Sequence, residues 1–179
     1  MVDESERDRE IEVESEGIDE PWYPNPGDIV EIHDEVLEDD PKAEPGLKHR
    51  GDIEYAVDHI KHGHFGEGPE TLHEKAYQLM RLIAANHPFV DGNKRTALAS
   101  TMYFYFWNGY DLSYQEELES MLVLISIRED FIDPDVAVEY LDSIAEEFTA
   151  GEYLKLVTET FDLLLDVSEN MTPDDENSG

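Results

Sequence analysis

An all-α fold, a compact helical bundle around one central buried helix, is what this sequence predicts, on three observations. Apolar residues recur at three- and four-residue spacing, while strand-type alternation is nowhere sustained and no repeat of roughly 20–50 residues is visible. Capping boxes, prolines and glycines punctuate these segments where helices start and stop. The stretch from Asn93 to Asn108 carries Tyr103, Phe104, Tyr105, Phe106 and Trp107 in succession, so it is apolar on nearly every side and takes the centre of the bundle. With 179 residues and 40% hydrophobic content, the chain suits one domain with a real core.

Residues 1–24 hold ten acids against Arg7 and Arg9, a composition for a disordered acidic tail. The helical domain is expected over 25–167. From Asp28, the residues Ile29, Ile32, Val36 and Leu37 mark a first helix, and Asp39-Asp40-Pro41 through Pro45-Gly46 break it into a loop. A second helix is expected from Asp52 to about His62, followed by a flexible connection containing Gly63, Gly66, Gly68 and Pro69. Thr71 and Glu74 form a capping box for a third helix, with Leu72, Ala76, Leu79, Met80, Ile83 and Ala84 on its apolar face, ending near Asn86 before Pro88. Gly109 caps the central helix. Ser113 and Glu116 read as another capping box, opening a helix with Leu118, Met121, Leu122 and Ile125, and Asp133-Pro134 opens one through Val138, Leu141 and Ile144. Gly151 separates a final amphipathic helix ending near Val167, and 168–179 reads as a second disordered acidic tail.

Acidic residues outnumber basic ones 45 to 12, a net charge of −33 that repels nucleic-acid backbones and anionic membranes. Neither nucleic acid nor membrane is therefore an expected partner. The acid is spread along the chain, as on a halophile-type surface whose self-repulsion high salt screens. Cysteine is absent, which excludes disulfides, thiolate nucleophiles and Cys-based zinc sites. No signal peptide or membrane span is recognisable, so a cytoplasmic protein is expected.

Chemistry concentrates in His87-Pro88-Phe89-Val90-Asp91-Gly92-Asn93-Lys94-Arg95-Thr96. Asp91 and Gly92 make the turn between two helices, so the N–H groups of Gly92 through Arg95 are expected to point, unpaired, from the start of the second. That is an anion-binding nest. Lys94 and Arg95 in a first helical turn oppose the helix dipole, which a polyphosphate ligand would offset. His87 at the mouth is a candidate general base. Asp91 reads equally as a turn residue or as the hard carboxylate that Mg²⁺ takes when it bridges phosphates. Phe89 and Thr96 read as packing residues, and Asn93 alone reads as a plain cap.

The decapeptide resembles the motif of the Fic/Doc family, HPFx[DE]GN, which continues GR in most Fic adenylyltransferases and KRTA in Doc (death-on-curing) toxins. Here it continues Lys94-Arg95-Thr96-Ala97, and Leu98 stands where the adenylyltransferases have a second arginine. A looser match runs from about Ile29 to Tyr110. The resemblance implies a Doc-like toxin of a toxin–antitoxin pair. Its activity would be that of a protein kinase moving phosphate from ATP to a Ser, Thr or Tyr hydroxyl of a target protein. A translation elongation factor is the implied target and an antitoxin the implied partner. Within that reading His87 is the base, Asp91 the Mg²⁺ ligand, and Gly92, Asn93, Lys94 and Arg95 hold phosphates. Lys94 in place of glycine goes with an inverted nucleotide that presents its γ-phosphoryl group. The family's target-aligning flap would fall at 63–69. Transfer of AMP, or a non-catalytic binding role, are the alternatives.

Other features read more plainly. His59, His62, His64 and His73 lack the carboxylate support and fixed loop that imidazole metal ligands need. The aromatic run at 103–107 is core, not a base-stacking platform. Thr172 through Asn177 fits the [ST]xxxE[GN] pattern of an inhibitory helix found in many Fic enzymes, but only two residues follow it, too few for a stable helix.

Overall fold

A computed structural model of the chain describes residues 20–38, 40–156 and 158–159. Local chemistry sets each helix start. Asn25 caps α1 (Pro26–Glu38), its Oδ1 accepting from the N–H of Gly27 and Asp28 while an Asp28 carboxylate oxygen accepts from Asn25 N–H. This moves the start two residues ahead of the expected Asp28. α2 spans Arg50–His62 and α3 spans Leu72–Asn86, the latter opened by the expected Thr71–Glu74 capping box. α4 covers Asn93–Trp107, and Gly109, with φ of 86°, reverses the chain behind it. α5 (Glu116–Arg128) leads through a 3₁₀ turn at Glu129–Phe131 into α6 (Pro134–Ile144), where Asp133 caps the Asp135 N–H and Pro134 occupies the first turn as expected. Residues 150–156 are again helical.

The all-α bundle expected from the sequence is present, with α3 at its centre beside α4. α3 packs on α2, α4, α5 and α6, and α4 also packs on α1. Ile53, Ala76, Leu79, Met80, Phe89, Phe104, Tyr105, Leu118 and Ile125 belong to one continuous buried core. α4 is less enclosed than its aromatic run suggests. Phe104 and Tyr105 are fully buried, but Tyr103 and Trp107 are 45% and 49% exposed. Five consecutive aromatics cover every direction around a helix, and the bundle has neighbours for only part of that circle.

Other departures have local causes. A small antiparallel sheet joins β1 (Tyr110–Leu112) to β2 (Ala145–Glu147), pairing Asp111 with Glu146. Strands of three residues are too short to show alternation. Ser113 does not cap α5: its N–H donates to Ile144 O beside this sheet, which holds it two residues ahead of Gln115, the N-cap. Thr149, not Gly151, opens the last helical segment: Thr149 N–H donates to a Glu152 carboxylate oxygen and Glu152 N–H to Thr149 Oγ1. Trp22 and Tyr23, placed in the tail by the sequence reading, pack on α4. Trp22 lies 5.8 Å from the Trp107 ring and Tyr23 6.2 Å from that of Phe104. The stretch expected to be flexible, 63–69, is a hydrogen-bonded hairpin. His64 and Glu67 exchange both backbone bonds around Phe65 and Gly66, each with positive φ. The expected ends of the two acidic tails, 1–19 and 168–179, lie outside the described residues, as do the end of the last helix and the Thr172–Asn177 pattern. No described helix is long and apolar enough to cross a membrane.

Candidate active site

The site is built where α3 stops and α4 starts. α3 ends on His87, whose backbone adopts the left-handed conformation (φ 51°, ψ 57°) and turns the chain away from the helix axis. Phe89 then anchors the loop in the core with no exposed surface. Asn93 closes it: Phe89 N–H donates to Asn93 Oδ1 (2.9 Å), and Asn93 Nδ2 donates to Phe89 O (3.0 Å). The carboxamide acts as a strand partner for the loop. This engagement differs from the phosphate contact that the resemblance implies for the Asn93 side chain, and it leaves that residue's backbone N–H for a ligand.

A second clamp comes from outside the motif. Leu47 pairs with Phe89 in an antiparallel bridge, Lys48 and His49 N–H donate to Pro88 O, and Val90 N–H donates to Gly46 O. His33, buried in α1, stacks on the Phe89 ring at 3.7 Å with 7° between the planes. Its Nδ1 lies 3.0 Å from Thr96 Oγ1, and that hydroxyl donates to Gly92 O (3.0 Å). His33 Nδ1 therefore carries the proton, and α1 holds both the loop and the start of α4. Gly92 is required by its φ of 73°; a Cβ there would also displace Leu37 Cδ2, which it would meet at 2.9 Å.

Burial, partly offset by the Asp34 carboxylate, holds the His33 pKa below its ordinary value. A histidine that resists protonation in the folded state supplies stability above its unfolded pKa near 6.5, and that stability is lost as pH falls below it. Wild type is thus expected to lose more thermal stability between pH 7 and pH 5.5 than His33→Gln, a window in which ordinary carboxylates scarcely titrate. Equal pH dependence in melting experiments on the two proteins would remove His33 from this role.

Gly92 N–H, expected in the nest, is taken by Asp91 Oδ1 at 2.6 Å. None of the described hydrogen bonds is donated by the amides of Asn93, Lys94 or Arg95, and α4 has no side-chain cap. These amides form the open nest. Arg95 turns toward α1, with Nη1 3.3 Å from Val36 O and 3.3 Å from Asp40 Oδ2. Its charge thereby complements the C-terminal end of α1, which accounts for one of the two cations unfavourable to α4. Lys94 is exposed and makes no hydrogen bond or ion pair among the described residues. His87 Nε2 lies 3.0 Å from Ser126 O in α5. A carbonyl only accepts, so Nε2 bears the proton and Nδ1 is the basic nitrogen.

Asp91 keeps its second oxygen free beside the nest. Among the described residues no group of three or more His, Cys, Asp or Glu side chains gathers to hold a metal. One carboxylate next to a phosphate nest suits Mg²⁺, which takes most of its ligands from phosphate and water, and does not suit an ion needing a complete protein cage.

The hairpin at 63–69 is not beside this loop. It precedes α3, while His87 follows it, so about 22 Å of helix separates them. The extended stretch beside the motif is Gly46–His49, which apolar spacing could not reveal. His33 was equally illegible: it is 63 residues from Thr96, and only the packing of α1 on α4 brings the two together.

No curated protein matches the chain. Residues 23–105, from the packed Tyr23 through α1, α2, α3, the clamped loop and most of α4, match the sequence model of the Fic/DOC family, so this part of the chain is a Fic/DOC family domain.

Proposed function

We propose that the protein is a Doc-like kinase, a nucleotide-dependent transferase that moves the γ-phosphoryl group of ATP to a hydroxyl of a target protein. The observation that carries this reading is the open nest of Asn93, Lys94 and Arg95 amides, with the unpaired Lys94 ammonium on it and His87 at the other end of the same loop. Helix-terminal amides and a lysine bind phosphate oxygens. The target hydroxyl gives its proton to His87 Nδ1 as its oxygen bonds to the γ-phosphorus. The bond from that phosphorus to the β-phosphate oxygen breaks, and ADP leaves. Asp91 would hold Mg²⁺, whose charge neutralises the phosphates. Leu98 is partly buried against the core, so one turn along α4 offers apolar surface where a second arginine would hold the opposite nucleotide orientation. The same reading makes the protein the toxin of a toxin–antitoxin pair, with a translation elongation factor as its target.

The test is direct. Incubating the full chain with extract and either γ- or α-labelled ATP is expected to transfer only the γ-label to protein. Transfer of the α-label overturns the kinase reading.

Two further outcomes follow from the geometry. Asp91→Ala is expected to raise the Mg²⁺ requirement and cut transfer by at least the roughly 10–100-fold lost when metal sites are weakened. Undiminished transfer at low Mg²⁺ removes Asp91 as the ligand. Leu47 exposes its side chain, and because Lys48 and Gly46 make the bonds to the motif loop, its own N–H and C=O face away from that loop. This free edge suits an extended target segment beside His87. Leu47→Pro removes one outward N–H at a position where an edge tolerates proline, so target modification should fall about tenfold while ATP binding is kept. Modification at wild-type rate would show that the target docks elsewhere.

A further inference from the structure

At the end of α3 remote from His87 lies a cavity of about 520 Å³, walled by the end of α2, the 64–67 hairpin, the first turns of α3 and the start of α6. That volume suits a small molecule or an amino-acid side chain with its neighbours. Three buried polar atoms of its lining residues make no hydrogen bond among the described residues. Tyr77 is 1% exposed and its Oη makes no hydrogen bond; His59 Nδ1 and His64 Nε2 are likewise buried and unbonded. His64 Nε2 comes no closer than 3.6 Å to Asp58 Oδ2. Native proteins leave few buried polar groups unsatisfied, and a cluster of them around one cavity needs an explanation.

The walls indicate the ligand's charge. Glu67, Glu70 and Asp135 line the cavity, and no lysine or arginine is among the described lining residues. Glu74 also lines it, but one of its oxygens is spent on the Glu70 and Thr71 N–H groups. The nearby cations are committed: Lys75 to Ile60 O and Pro69 O, Arg81 to Gln78 and Glu129. Carboxylates alone distinguish nothing on so acidic a chain; their meeting with unsatisfied uncharged groups does. Burial holds the His59 pKa below its ordinary value and the Tyr77 pKa above its own, which favours the neutral imidazole and phenol, each with one acceptor position. The His59 and His64 rings stack nearly parallel, 5.4 Å apart, which fixes both imidazoles in the cavity wall. With no gathered set of three metal-ligating side chains among the described residues, a metal ion is disfavoured.

We propose that this cavity binds a guanidinium group, its donors shared between the Glu67 and Glu70 carboxylates and the Tyr77 and His59 acceptors. Guanidinium carries donors only, is planar and weakly hydrated, and pairs with carboxylates through a rigid fork, which a hydrated ammonium does not. It can come from a free small molecule or from an arginine of a polypeptide.

The experiment is a thermal-shift titration of the full chain with methylguanidinium, with a blocked Gly-Arg-Gly peptide, and with potassium and methylammonium at matched ionic strength. A saturable rise in Tm with methylguanidinium or the peptide, unmatched by potassium or methylammonium, is expected. Tyr77→Phe should bind on the order of tenfold more weakly, yet melt no lower than wild type without ligand, since the lost hydroxyl had no partner. Glu70→Gln, a surface change that leaves the core intact, should weaken binding similarly. Tighter binding of the peptide assigns the site to an arginine of a polypeptide, and equal or weaker binding assigns it to a free cation. Equal shifts for all four solutes, or undiminished affinity in both variants, overturns the proposal.

Discussion

His87→Ala is expected to lower phosphate transfer by roughly 10²–10⁴-fold, the range general bases contribute, while nucleotide affinity changes by no more than a few-fold. The separation follows from the atoms involved. The open amides and Lys94 lie in the first turn of α4, whereas the basic Nδ1 of His87, the base of the proposed transfer, lies at the opposite end of the loop. Loss of the ring also removes the Nε2 bond to Ser126 O, worth about 1 kcal/mol. His87→Asn is the control for folding, because asparagine tolerates the left-handed conformation this position adopts (φ 51°). Both variants should bind ATP in calorimetry and fail to label target protein. Transfer at wild-type rate by either would mean that another group takes the proton.

The position of this loop between two helices was legible because its residues are contiguous. A ten-residue stretch needs no knowledge of tertiary packing to place a histidine, a carboxylate and a helix start in one turn, and the Thr71–Glu74 box with Pro88 bounded α3 from local chemistry alone. What holds the loop in shape was not legible. His33 on α1 carries no mark in the sequence that sets it apart from the other histidines; its role comes from stacking on Phe89 and reaching Thr96. Gly46–His49 is too short and irregular to read as a strand, and its bonds to the motif loop join it to Pro88 and Val90, some forty residues away. Arg95 illustrates the same limit in reverse. Local chemistry shows only that it opposes the dipole of α4, whereas packing also sets its guanidinium at the end of α1, where its charge is favourable. Periodicity finds helices and caps find their ends, but which helix end faces which side chain is decided by packing.

Lys94→Gly is expected to lower phosphate transfer by roughly 10²–10³-fold, the usual effect of removing one group that stabilises transition-state charge, and to shift the residual product toward AMP. Arg95 is engaged by Val36 O and Asp40, whereas Lys94 makes no hydrogen bond or ion pair among the described residues, so the proposed mechanism gives the phosphate contact to Lys94. In-line transfer needs the reacting phosphorus within about 3–3.5 Å of the attacking oxygen, so whichever phosphate the nest positions near His87 is the one transferred. Replacing Lys94 by glycine takes an unfavourable charge from the α4 N-terminus, gaining about 0.3–1 kcal/mol, which offsets the poorer helix propensity of glycine there. The fold should therefore survive, and any change in product reflects the nucleotide's orientation. Leu98 limits the switch: packed against the core, it offers no charge to hold an AMP-donating nucleotide, so Lys94→Gly with Leu98→Arg should transfer more AMP than Lys94→Gly alone. Mass spectrometry of the modified target separates a phosphoryl from an adenylyl increment. An adenylyl increment from the wild type would give Lys94 no part in choosing the phosphate and make the protein an adenylyltransferase.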